Sequence, residues 1–248
     1  MTREWDAVSY DRIATPMTRM GSAVLDRLPL NGDERVLDAG CGSGRVTLRL
    51  LERLPHGRVV ALDASRQMVE QTRETLKAAN LEDRAEYVVA DLGQPIPISE
   101  PVDAVLSTAT FHWVLDHDAL FRNLAAVMRP GAPLVAQCGG GENIARVRAV
   151  LRDLGETWAP WNFALPDETR ARLGAAGFDE IDVWLHDEPV EIPQAELRDF
   201  LRTIILGSNL LRKAPDDREP FVEAVAARLA DGRLDYVRLN ILARRAAG

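Results

Sequence analysis

The amino-acid sequence predicts an α/β protein, a mostly parallel sheet with helices on both faces. Three observations lead there. Between Glu34 and Cys138, apolar runs of strand length alternate with segments of helical period. The runs are apolar throughout, as in Val59-Val60-Ala61-Leu62 and Leu134-Val135-Ala136, which is what a sheet covered on both faces requires. The first run closes on an acid and alternating glycines, Val36-Leu37-Asp38-Ala39-Gly40-Cys41-Gly42-Ser43-Gly44, and a helical pattern starts directly after it. Strand–helix alternation at this spacing means parallel βαβ units with right-handed crossovers. Ligands then bind beyond the carboxyl ends of the strands, at the switch point beside the first one.

In chain order, residues 3–28 read as two amphipathic helices divided at Thr15-Pro16, with Thr15 as N-cap and Pro16 at the first helical position. Strands are expected at Arg35–Asp38, Arg58–Asp63, Ala85–Ala90, Val102–Ser107 and Ala132–Cys138. Helices are expected at Gly44–Leu54, at Ser65–Ala79 with Ser65 as cap, and at Asp118–Met128 with Arg129-Pro130-Gly131 as terminator. Gly139-Gly140-Gly141 reads as a mobile turn without a phosphate role. Helical patterns follow at Asn143–Leu154, Pro166–Ala176, Gln194–Ile205 and Asp217–Ala230, with an aromatic loop at Trp158-Ala159-Pro160-Trp161. Ile181–Val190 and Leu234–Ala243 read as strands that form a late antiparallel pair.

At 248 residues and 27.4 kDa, with no repeats and no long linker, the chain reads as a single domain over 1–248. Its core is expected at about 30–140, with helical lid insertions at about 141–176 and 193–232. The net charge of −8, and the lack of any basic cluster, disfavour a nucleic-acid partner, whose binding rests on phosphate neutralisation. Two isolated cysteines, Cys41 and Cys138, point to a reducing cytoplasm and not to a disulfide framework. Met1 to Leu30 carries charges throughout and lacks the apolar stretch of a signal peptide. No segment approaches 18 uninterrupted apolar residues, so no membrane span is expected.

The glycine turn carries the chemistry. A dinucleotide fingerprint counted from Gly40 and Gly42 would need glycine where Arg45 stands, and a phosphate loop would need G-K-[ST]. The remaining pattern, D-x-G-x-G-x-G after a strand, resembles the first motif of class I S-adenosylmethionine (SAM) methyltransferases. That resemblance implies a seven-stranded, mostly parallel Rossmann-like sheet with helical insertions forming a cap. Asp63 ends the second strand, 19 residues after Gly44, where a carboxylate can accept both ribose hydroxyls. Asp91 is placed for the adenine amino group and Leu92 to cover the ring. Asp38, Gly40, Gly42 and Gly44 are expected around the methionine end, and Cys41, Ala64, Met68 and Ser107 complete the implied cofactor set. The fourth strand runs into Ser107-Thr108-Ala109-Thr110, which lacks the N-P-P-Y of enzymes acting on planar exocyclic nitrogens, and no cysteine stands there for carbon-5 pyrimidine chemistry.

W-D-A-x-x-Y from Trp5 to Tyr10, V-L-D-A-G-C-G-S-G, V-V-A-L-D-A-S-R-Q-M, V-V-A-D-L and F-H-W-V-L-D-H-D-A-L-F-R-N-L-A-A-V-M-R-P-G-A-P-L-V-A-Q together resemble the trans-aconitate methyltransferase family over about residues 3–138. Beyond that the similarity loosens, apart from Tyr236-Val237-Arg238-Leu239-Asn240. The resemblance implies SAM-dependent esterification of a small carboxylic acid, release of S-adenosylhomocysteine and no metal. A carboxylate is already ionised at neutral pH and needs no general base. Catalytic candidates are Tyr10, Arg12, His112 and Trp113; Trp158, Trp161, Arg202 and Tyr236 are further acceptor-binding candidates. For a hydroxyl, phenol or amine acceptor, His112 could instead remove a proton. Two alternatives therefore stay open: a natural-product O-, N- or C-methyltransferase of the same fold, and a silent SAM-binding protein. Oligomeric state is not readable.

Overall fold

The computed structural model of the chain describes residues 4–5 and 21–247. Tyr10, Arg12 and most of the expected helices over 3–28 lie outside the described residues; within that stretch, residues 21–25 are helical. A seven-stranded sheet has the order β3-β2-β1-β4-β5-β9-β6. β1 (Arg35–Ala39), β2 (Arg58–Asp63), β3 (Ala85–Val89), β4 (Ala104–Thr108) and β5 (Pro133–Gly139) run parallel. β9 (Val237–Arg245) pairs antiparallel with both β5 and β6 (Phe178–Asp187), which closes the edge with the late strand pair the sequence predicts.

Alternate strand residues feed two layers. Leu37, Leu62, Val105 and Leu134 face one core, shared with Leu120 and Leu124 of α3 (His117–Val127) and Leu173 of α5 (Pro166–Ala175). Val36, Val59, Leu106 and Val135 face the other, shared with Leu50 and Leu51 of α1 (Arg45–Glu52), Leu76 of α2 (Arg66–Ala78), Val24 and Leu28. Burying such side chains contributes about 1.5–3 kcal/mol each. Helix starts are set by side-chain caps: Ser65 accepts from the Met68 N–H at 3.3 Å, and Asp116 from the Ala119 N–H at 2.9 Å.

A separate apolar cluster forms the cap. It joins α4 (Ala145–Asp153), α6 (Gln194–Phe200), the π-helical turn Leu201–Ile205, α7 (Gly207–Leu211) and α8 (Pro215–Arg228) around Leu151, Phe200, Leu206 and Val225. A two-residue ladder, β7 (Val190–Glu191) with β8 (Arg233–Leu234), ties it down. The expected lid over 141–176 is therefore too long: Leu173 packs α5 against the sheet, so the first cap segment ends before Pro166. The glycine run after β5 is a packed junction, because a Cβ on Gly140 would lie 2.5 Å from Leu239 Cβ and 3.0 Å from the Ala164 carbonyl. Only glycine lets the chain leaving β5 pass this close to β9 and to the Ala164 backbone. Among the described residues no helix is long and apolar enough to cross a membrane.

Candidate active site

A cavity of about 770 Å³ opens beyond the carboxyl ends of β1 to β4. Its floor is the glycine turn. Gly40 has φ +94°, and a Cβ there would fall 2.0 Å from Thr110 Oγ1, so the β1 turn and the segment after β4 meet with no room for a side chain. The Gly40 and Cys41 N–H groups both donate to the Leu62 carbonyl, at 2.8 and 2.9 Å. Gly44 precedes α1 at φ +85°, and a Cβ there would lie 2.9 Å from Thr72 Cα. Gly42 faces open space and lines the cavity.

Asp38 lies under this turn and is buried. Thr47 Oγ1 donates to its Oδ2 at 2.6 Å, while Oδ1 is buried with no partner among the described residues. Burial raises its carboxyl from 3.8 to about 6; the Thr47 hydrogen bond opposes this and the nearby Asp63 charge adds to it. A buried, unpartnered carboxylate oxygen beside a glycine turn fits a ligand ammonium, so this arrangement suits the amino-acid end of SAM. Asp63 is pinned from both sides: Ser65 N–H donates to Oδ1 at 2.9 Å and Gly42 N–H to Oδ2 at 3.1 Å. Burial raises its pKa against those backbone hydrogen bonds. Its carboxylate lines the cavity together with Ala64 and Met68. Asp91, held by the Gly93 N–H at 2.8 Å, and Leu92 stand on the same wall.

Four expected cofactor residues do not line the cavity: Asp38, buried beneath the turn, and Cys41, Ser107 and Gly44. Cys41 is buried and its sulfur contacts Thr72 Oγ1 at 3.4 Å; it is not on the wall. Ser107 is buried and donates to the Ala39 carbonyl at 2.6 Å, which locks β4 to β1 beneath the site. Gly44 serves as the α1 cap. Small residues after these strands are needed as much for packing the turn as for contact with a ligand.

Trp113 lines the cavity and meets Trp5 edge to face at 5.3 Å and 83°. The segment Glu4-Trp5 is fastened to the start of α2, since Glu4 accepts from Ser65 Oγ at 2.8 Å and from the Arg66 N–H at 3.2 Å. His112, the candidate base, is buried off the wall, 5.0 Å from the Trp113 ring. Its Nδ1 accepts the Gly139 N–H at 3.2 Å, and burial, with Arg238 and His117 nearby, drives its pKa well below 6.5. The neutral ring thus carries its proton on Nε2, and its acceptor nitrogen is taken up by the Gly139 N–H. Trp158 reaches the wall; Trp161 stacks on Phe163 at 5.6 Å within the cap. Arg202 is taken up by Glu219 and Asp199, and Tyr236 packs in the cap core. Wall residues absent from the expected set include Thr108, Ala109, Thr110, Leu211 and Arg212. Ala109 adopts φ +56°, a strained backbone for a non-glycine residue next to the glycine turn.

Comparison with known proteins agrees with this fold. A family model described as a methyltransferase domain matches residues 36–131. A trans-aconitate 2-methyltransferase of Methylobacterium radiotolerans is 29% identical over 98% of this chain and 99% of its own length. One from Paracidovorax citrulli is 32% identical over 73% of this chain and 71% of its own. Among solved structures, the YcgJ protein of Bacillus subtilis superposes with a TM-score of 0.68 at 15% identity, covering 93% of this chain and 99% of that one. The chain belongs to the class I SAM-dependent methyltransferases, in the family that contains the trans-aconitate 2-methyltransferases.

Proposed function

We propose that the enzyme methylates a carboxylate of a small organic acid. The observation that supports this acceptor best is the state of His112, which has its acceptor nitrogen committed to Gly139. A hydroxyl or ammonium acceptor needs its proton removed; a carboxylate does not. The names of the relatives point the same way. When bound, SAM supplies an electrophilic methyl group, which the acceptor oxygen takes with its own electron pair as sulfur leaves in S-adenosylhomocysteine.

The protein's work is then positioning. Asp38 Oδ1 receives the ammonium, Asp63 the ribose hydroxyls, and Asp91 with Leu92 the adenine. Trp5 and Trp113 form an apolar wall that excludes water where opposite charges disappear together. Holding the reacting atoms about 3–3.5 Å apart in line supplies several kcal/mol of the rate enhancement. Two buried, unpaired thiols, Cys41 and Cys138, suit a reducing cytoplasm, and the acidic net charge disfavours nucleic acid as acceptor. Incubation with methyl-labelled SAM and panels of carboxylic acids, phenols and amines tests the reading. Products that release volatile labelled methanol in base support it; transferred label that survives base overturns it.

A further inference from the structure

Among the described residues, the cavity wall carries a single basic side chain, Arg212; its other charged members, Asp63, Asp91 and Asp116, are acids. The neighbouring cations are committed elsewhere. Arg202 is paired with Glu219 and Asp199, and Lys213 with Glu156 at 3.2 Å. The exposed Arg212 side chain makes no ion pair or hydrogen bond among the described residues and lies over Trp158, its Cζ 4.7 Å from the ring centroid. Trp158 is itself fixed, because the buried Asn209 donates from Nδ2 to its carbonyl at 3.3 Å. A guanidinium held over an indole has its rotamer freedom already reduced, and here its N–H fork has no other partner among the described residues and is free for a carboxylate. Leu115 and Leu211 line the same cavity and offer apolar surface to a carbon skeleton.

We propose that Arg212, braced on Trp158, binds a second carboxylate of the acceptor, the one that is not methylated, and so selects diacids over monoacids. The inference rests on the carboxylate-acceptor reading above. The reacting carboxylate loses its charge during transfer, so a guanidinium on it would hold the ground state more tightly than the transition state and slow the step. On the spectator carboxylate the same fork binds both states equally. It then lowers KM and leaves kcat alone.

The test compares wild type, Arg212→Gln and Arg212→Lys on a short unsaturated dicarboxylic acid and its monoamide, with base-released labelled methanol as readout. Wild type should prefer the diacid. Arg212→Gln should raise KM for the diacid about ten- to hundredfold, the loss expected for a charge-assisted hydrogen bond, with kcat within about threefold. Its KM for the monoamide and its affinity for S-adenosylhomocysteine should not move. Arg212→Lys, which keeps the charge without the planar fork, should recover only part of the loss. The diacid should also raise the thermal midpoint of the wild-type S-adenosylhomocysteine complex and not that of Arg212→Gln. Unchanged diacid KM in Arg212→Gln, or equal wild-type use of diacid and monoamide, overturns the inference while the acceptor reading stands. Failure of the wild type to esterify any acid is the separate outcome that removes both.

Discussion

Asp38→Asn separates what this carboxylate does for the fold from what it does for the cofactor. In the free protein Asp38 is buried with one oxygen unpartnered, and its carboxyl rises from 3.8 to about 6. A group whose folded pKa lies above its unfolded value makes the folded state bind the proton more readily. Stability from this group is therefore present at low pH and lost as pH rises from about 4 through about 6. The rise corresponds to roughly 3 kcal/mol at 1.36 kcal/mol per pH unit. Asparagine keeps the shape and an acceptor for Thr47 Oγ1 but does not titrate. Denaturation of the cofactor-free proteins between pH 4 and pH 8 should show the stability difference, variant minus wild type, growing by about 3 kcal/mol across that range. A fixed offset is expected in addition, because the amide leaves a buried N–H group in place of the orphan oxygen. Titration calorimetry at pH 7.5 should show SAM affinity falling about ten- to hundredfold in the same variant. In wild type, SAM affinity should weaken below about pH 6, as Asp38 takes up its proton. A pH-independent stability difference, or unchanged SAM affinity, refutes the reasoning.

Three further outcomes follow from the same geometry. Asp63→Ala should weaken SAM binding about ten- to hundredfold, and far-ultraviolet circular dichroism should be unchanged, since β2 is anchored by its apolar residues. Gly40→Ala places a methyl group 2.0 Å from Thr110 Oγ1 at φ +94°, and chemical denaturation should show a loss of about 2 kcal/mol or more. His112→Ala should keep kcat within about tenfold, and the wild-type pH profile of kcat with a carboxylic acid should show no inflection near 6.5, because the His112 pKa lies well below that value.

The parallel strands and the glycine turn were legible in the sequence because buried strands are continuous apolar runs and each strand end carries a residue of distinct chemistry, Asp38, Asp63 or Asp91. Asp63 and Asp91 line the cavity, and Asp38 lies buried beneath the glycine turn, off its wall. Ser107 and Cys41 did not reach the wall, since a small residue after a strand serves packing and ligand contact with the same sequence pattern. His112 illustrates a different limit. Its position after β4 was readable, but the hydrogen bond from Gly139 that commits its Nδ1 comes from a segment 27 residues away. The helix Gly207–Leu211 was missed because glycine, serine and asparagine are weak helix formers that favour turns. Arg212, which follows it, therefore had no readable place. The π-helical turn at Leu201–Ile205 was likewise hidden, since a single turn of Leu-Arg-Thr-Ile-Ile is too short for its apolar spacing to separate it from an α-helix.

The account depends most on how the cavity holds its cofactor, and a crystal structure of the S-adenosylhomocysteine complex measures that directly. The ligand ammonium should lie within hydrogen-bonding distance, about 2.7–2.9 Å, of Asp38 Oδ1, with both ribose hydroxyls on Asp63 and the sulfur facing Trp113. A ligand whose ammonium lies away from Asp38, or whose sulfur points away from the Trp5–Trp113 wall, would contradict it.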